Sequence, residues 1–193
     1  SVVARECHKA SYTLECEEAC KTIVTQLRQQ RHKSGNIRYN LRGDYTFAVM
    51  FLAEALGYIV KIDRNADYQQ AIGPLLFHLT CENNPAAVSP LCDALTAIAD
   101  ISDTLAQKVI DEITAELIAN HEGFVIYNLA LALEKVIKVS PRANFQESQS
   151  ILANKLREFS NELKLAGDTT LREIIEKRIV QIETTLAAMD SNA

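Results

Sequence analysis

The length, composition and charge of the chain exclude several classes of protein. Its 193 residues are 48% hydrophobic and 23% charged, and they include only 6 glycines and 4 prolines. These values exclude a disordered or fibrous chain, and the scarcity of turn residues favours helices over a sheet. The net charge of −5 disfavours a protein that covers nucleic acid or an anionic membrane with its whole surface.

The first predicted element is a long helix over residues 3–34. Apolar residues recur there every three or four positions, and Gly35 can adopt the left-handed conformation that ends many helices. A polar, basic connector over residues 35–43 follows. A helical core is then expected over residues 44–139.

That core begins with an unusually apolar segment. Asp44 is predicted to cap a helix from Tyr45 to Val60, in which Thr46 and Glu54 are the clearly polar residues. A membrane span needs about 20 apolar residues and tolerates a central carboxylate poorly. The segment therefore predicts a core helix surrounded by other helices.

The rest of the chain consists of predicted helices joined by short connectors. Asn84-Pro85 and Ser102-Asp103 are typical helix starts, and Ser140-Pro141 breaks the chain before a C-terminal helical hairpin over residues 146–189. In that hairpin, Thr170 with Glu173 is typical of a capping box. Helices are predicted over 67–81, 85–101, 103–121, 124–139, 146–165 and 170–189.

The fold class that follows is all-α, with about eight antiparallel helices in a single domain over residues 1–193. Two architectures fit, a closed helical bundle and a short array of helical hairpins. The segment Ile72–Ile98 resembles Ile113–Ile137 at an offset of about 40 residues, a period similar to that of HEAT and armadillo repeats. The likeness spans two units and implies no functional residue.

The segment from Lys21 to Arg42 is the strongest local departure from the average composition. It contains six cations and no acidic residue, which suits a phosphate-rich ligand, RNA or an acidic protein surface. The alternative is a helix end whose cations complement its dipole, followed by a solvated loop. The candidate binding residues are Arg28, Arg31, Lys33, Arg38, Tyr39 and Arg42.

Two polar residues on apolar helices are candidates for buried functional groups, Glu54 and His78. A buried carboxylate must find a partner or take up a proton, but a glutamate beside small neighbours also reaches solvent. His78, between Phe77 and Leu79, is typical of a core histidine with a satisfied hydrogen bond. A small-ligand site or helical enzyme would require the two side chains to converge in one pocket.

The five cysteines are an odd number without the spacing of a zinc site, and three of them fall on the apolar stripe of the first helix. They predict packed thiols in a reducing, cytoplasmic compartment and no bound metal. The chain also lacks phosphate-loop, dinucleotide-binding, zinc-protease and nucleophile-elbow motifs. Catalysis and a cofactor are therefore not expected, although an enzyme stays open.

The sequence therefore favours an interaction or scaffold domain whose partner is another protein. The first alternative is binding of RNA or a phosphate-rich ligand through residues 21–42. The second is the pocket around Glu54 and His78. The sequence predicts no membrane span and leaves the oligomeric state open.

Overall fold

The computed structural model describes the backbone of residues 2–34, 42–82 and 84–191, and the side chains of residues 14–30, 46–82, 84 and 86–191. These residues form eight helices and no strand, which confirms the all-α prediction. The helices are α1 (Val2–Ser34), α2 (Arg42–Ile62), α3 (Gln69–Cys81), α4 (Pro85–Ala99), α5 (Asp103–Ala119), α6 (Gly123–Val139), α7 (Gln146–Leu165) and α8 (Thr169–Asp190).

Capping side chains explain where several helices begin. Asn84 and Ser102 each accept a hydrogen bond from a backbone N–H in the first turn, at 3.0 and 3.2 Å, as their positions in the sequence predict. The predicted cap of α8 is wrong. Asp168 accepts from the backbone N–H groups of Thr170 and Leu171, because its carboxylate is a better acceptor at a helix start than the Thr170 hydroxyl.

The start of α2 also differs from the prediction. The helix begins at Arg42, so Asp44 lies inside its first turn and is not the residue that precedes it. Part of the segment predicted as a connector, Arg42 and Gly43, is therefore helical. Local composition predicts a loop there, but neither residue prevents helix formation at a helix start.

Contacts between the helices divide the molecule into two layers. The even-numbered helices follow one another in the order α2, α4, α6, α8, and the odd-numbered helices in the order α1, α3, α5, α7. Each odd helix also contacts the even helix that follows it. Within the described residues, none of the extensive contacts joins α1 or α2 to α7 or α8. The architecture is a row of four helical hairpins, hereafter the hairpin array.

A continuous apolar core lies between the two layers and runs from Cys20 in α1 to Met189 in α8. Burying one large apolar side chain contributes about 1.5–3 kcal/mol, so this core supplies the main drive to fold. Its largest fully buried members are Leu27, Leu56, Tyr68, Ile72, Leu75, Leu76, Leu79, Leu91, Leu95, Ile98, Ile110 and Ile113.

Helix α8 contacts α7, its partner in the predicted C-terminal hairpin, and also α6. The second contact includes a polar group that hydrophobic spacing does not reveal. The hydroxyl of Thr185 is buried and donates to the carbonyl oxygen of Ala130 in α6 at 3.1 Å. A similar bond joins Thr114 of α5 to Ser148 of α7, with 2.6 Å between the hydroxyl oxygens.

Among the residues that the structure describes, no helix combines the length and apolar character needed to cross a membrane. This includes α2, the helix with the unusually apolar segment from Tyr45 to Val60.

Candidate interaction surface on helix α2

Helix α2 presents large apolar side chains to solvent along one face. The exposed fractions are 56% for Phe47, 60% for Phe51, 67% for Tyr58 and 59% for Ile62. Single exposed apolar residues are common on proteins, whereas a row of four on one helix is not. We call these four residues the α2 face. The prediction that this helix is surrounded by others is wrong.

Helical geometry explains why these side chains lie together. Successive residues turn by about 100°, so the four side chains fall within a strip about 60° wide. The opposite side of the same helix carries Val49, Ala53, Leu56 and Val60, all buried in the core. Helix α2 is therefore apolar on both sides, and its neighbours α1 and α4 cover only one of them.

Glu54 lies beside the α2 face and is exposed, as is Lys61. A buried carboxylate at position 54 is therefore excluded, and the alternative that Glu54 reaches solvent holds. Its position on the helix faces away from the core, whereas Ala53 is buried on the opposite side. Glu54 thus belongs to the rim of the surface and not to the core.

The other end of the same layer has a different outer face. On α8, the positions facing away from the core include Glu173, Lys177 and Thr184. The exposed large apolar residues of this helix, Leu171, Ile174 and Val180, do not line up along one face. Val180 is 59% exposed. Arrays of helical hairpins need polar outer faces on their terminal elements to stay soluble. The outer face of α8 is mainly polar, whereas the α2 end leaves a row of four large apolar side chains uncovered.

Close packing against α4 holds the α2 face in place. Gly57 lies against α4, where an added Cβ would be 3.8 Å from the Cα of Ala94. At the start of the helix, the hydroxyl of Thr46 donates to a carboxylate oxygen of buried Glu82 at 3.1 Å. The face is therefore presented on a firmly supported helix.

The buried side-chain amide of Asn128 stabilises the connection between α3 and α4, which lies next to the start of α2. The side-chain nitrogen of Asn128 in α6 donates to the carbonyl oxygens of Leu79 and Glu82, at 3.0 and 2.7 Å. These carbonyls close the end of α3 and have no partner within the helix. Asn128 therefore fixes the connection between α3 and α4, against which α2 packs.

His78 has a structural contact of its own. Its side chain is buried, and Nε2 lies 2.8 Å from the carbonyl oxygen of Leu27 in α1, so this nitrogen carries the proton that it donates. Glu54 is exposed on α2. The structure does not bring the two side chains together, and neither lines the open surface depressions along α5 and α8. The geometry thus offers no support for a pocket shared by Glu54 and His78.

The basic segment falls largely outside the described residues. Arg38 and Tyr39 lie there entirely, and the side chains of Arg31, Lys33 and Arg42 do as well. The side chain of Arg28 is described and is exposed on α1. Binding of RNA or a phosphate-rich ligand therefore stays a prediction, and its test is an affinity that falls steeply as salt increases.

The described cysteines differ in exposure. Cys16, Cys20 and Cys92 are buried and Cys81 is exposed, while the side chain of Cys7 is outside the described residues. Burial raises the pKa of Cys20 to about 11 and that of Cys92 to about 12. Reactive thiols need a lowered pKa, so these two are packing residues. No group of three or more histidine, cysteine or acidic residues in the described part is placed to hold a metal ion.

Comparison of the chain with family models, curated proteins and solved structures finds no match.

Sequence reasoning missed the α2 face itself. The signal was present, because Phe47, Phe51, Tyr58 and Ile62 recur at helical spacing. A helix that is apolar on all sides is usually buried, and that rule gave the surrounded helix. Exposure of one side instead follows from the position of α2 at the end of a layer.

Proposed function

We propose that the chain is a helical interaction domain without catalytic activity, and that it binds another polypeptide through the α2 face. The observation that carries this proposal is the row of four large apolar side chains, each more than half exposed, on one side of a packed helix. Burial of such side chains at an interface is favourable, and aromatic residues are enriched where binding energy concentrates. The partner that fits is an apolar helix face laid along α2.

The proposed location is a reducing, cytoplasmic compartment. Support comes from the thiols of Cys16, Cys20 and Cys92, which serve as apolar packing groups in the core. A chain with a core of this size also needs no disulfide for stability.

Site-specific photo-crosslinking tests the proposed function. A benzophenone amino acid replaces Phe51 in one variant and Val180 in another, because these positions have nearly equal exposure, 60% and 59%, on different faces. We expect illumination in native lysate to give an adduct of defined mass from position 51 and none from position 180.

Two further variants decide the result. Phe47→Asp or Tyr58→Asp, introduced beside the photo-reactive residue, should abolish the adduct from position 51. No adduct from position 51, or equal adducts from positions 51 and 180, contradicts the proposal.

A further inference from the structure

The spacing of the α2 face is symmetric about its own centre. Phe47 and Ile62 are equally far from the midpoint between Glu54 and Ala55, and so are Phe51 and Tyr58. A two-fold axis through that midpoint would superimpose the face on itself with the helix direction reversed. Surfaces used in two-fold dimers are self-complementary in this way.

We propose that the occupant of the α2 face is a second copy of this chain, whose α2 packs antiparallel to the first; this rests on the proposed function of that face. In this register Phe47 meets Ile62 of the second copy, and Phe51 meets Tyr58 of the second copy. Each pair occurs twice, once on each side of the axis. Large aromatic residues thus face each other or an aliphatic residue, which is the packing that helix pairs favour.

The hairpin array supplies a second argument. Helix α2 stands at one end of its layer, and α4 covers its inner side. A second copy placed against the outer side continues the layer from α4 through both α2 helices to α4 of the second copy. The dimer therefore covers both α2 faces and leaves the α8 helices, with exposed Glu173, Lys177 and Thr184, at the two outer ends of the joined layer.

The area available fits a small dimer interface. A half-exposed aromatic or large aliphatic side chain offers on the order of 100 Å², which gives roughly 400 Å² per copy from the α2 face. A standard interface buries roughly 800 Å² per partner. The α2 face offers about half of that area, so it supports a weak dimer that dissociates at micromolar or higher concentrations.

The charge of Glu54 has an effect on dimer affinity that only this register predicts. The two-fold axis places Glu54 of both copies near the centre of the pair and on the same side of it. Two negative charges placed so close together oppose association of the two copies. Removal of the charge should therefore tighten the dimer, whereas Glu54 in a surface without this symmetry has no such effect.

Sedimentation equilibrium of the purified chain over a concentration series tests the proposal. We expect a monomer–dimer equilibrium in which Phe51→Asp weakens association at least a hundredfold, because the substitution removes two contacts per dimer. Glu54→Gln should strengthen association severalfold. Val180→Asp is the matched control and should leave the equilibrium unchanged. Circular dichroism checks that all variants keep the helical content of the unsubstituted chain.

Cysteine crosslinking tests the register itself. Ala55 lies next to the axis, so Ala55→Cys should form a covalent dimer with its own copy on mild oxidation. Ile62→Cys should not do so alone and should do so when mixed with Phe47→Cys. The unsubstituted chain, oxidised in parallel, gives the background from its native cysteines. Crosslinking of Ile62→Cys to itself without Ala55→Cys dimers overturns the antiparallel register.

The outcomes separate the two proposals. A chain that stays monomeric at high concentration, while position 51 still crosslinks to a different polypeptide, overturns self-association and leaves the proposed function standing. A monomeric chain with no adduct from position 51 overturns both.

Discussion

At the scale of single residues, the polar groups inside the core carry much of the structural specificity. Asn128 is 4% exposed and satisfies two carbonyl oxygens at the end of α3. An unpaired buried carbonyl costs far more than an average hydrogen bond contributes. In the sequence, the position of Asn128 within the apolar stretch from Phe124 to Val139 indicates this role, because a buried amide must find hydrogen-bond partners.

Replacement of this amide should destabilise the chain strongly. We expect Asn128→Leu to lower the free energy of unfolding by about 2–3 kcal/mol, because the carbonyls of Leu79 and Glu82 lose their donor and stay buried. Urea unfolding followed by circular dichroism measures the change. Asn154→Ala, at an exposed position on α7, is the control and should stay within about 0.5 kcal/mol of the unsubstituted chain. Equal effects of the two substitutions would contradict the role given to Asn128.

At the scale of helices, the contact between α2 and α4 leaves room for a methyl group at Gly57. Gly57 and Ala53 lie on the side of α2 that packs against the core. A Cβ atom added at Gly57 would lie 3.8 Å from the Cα of Ala94. A methyl group fits at that distance as an ordinary van der Waals contact. Glycine is thus not required at position 57 by space, and its backbone φ is not positive.

A methyl group at this position should therefore stabilise the chain. Gly57→Ala is expected to raise the free energy of unfolding by about 0.5–1 kcal/mol, because alanine loses less backbone entropy in a helix than glycine. Gly57→Leu is the matched variant, and it should cost about 1–3 kcal/mol because its longer side chain overpacks the contact with α4. Thermal and urea unfolding compare the two. Destabilisation by Gly57→Ala would contradict this prediction, because it would mean that α2 and α4 are too close together to accept a methyl group.

At the scale of the whole molecule, the hairpin array shares one core from α1 to α8. The last hairpin is joined to the rest by Leu152, Phe159 and Ile182 in that core, and by the hydroxyl contacts of Thr185 and Ser148. An array built from neighbouring contacts either unfolds as one unit or loses a terminal hairpin first. The continuous core favours the first behaviour.

We therefore expect a single cooperative unfolding transition. Five of the six tyrosines lie at or before Tyr68, so tyrosine fluorescence reports mainly on the N-terminal helices, whereas circular dichroism reports on all eight. The two signals should give the same midpoint in urea. An earlier transition by circular dichroism would show that α7 and α8 unfold first, and it would contradict the prediction of a single domain over residues 1–193.

Much of this structure could be predicted because helices are local. The periodicity of apolar residues and the caps at Asn84 and Ser102 determined the number of helices and most of their ends. The cap at Asp168 was missed because two neighbouring residues, Asp168 and Thr170, both suit a helix start. Composition likewise predicted the absence of strands in the described residues, since turn residues are scarce.

The sequence by itself thus determined that α2 forms and that it is apolar on both sides, because both properties depend on residues a few positions apart. Only the tertiary structure decided which side is covered. Val49 and Leu56 are buried, whereas Phe51 and Tyr58, which are also large hydrophobic residues, face solvent. The reason is that burial depends on helices distant in the chain, α4 above all, and α2 stands at the end of its layer with such a neighbour on one side only.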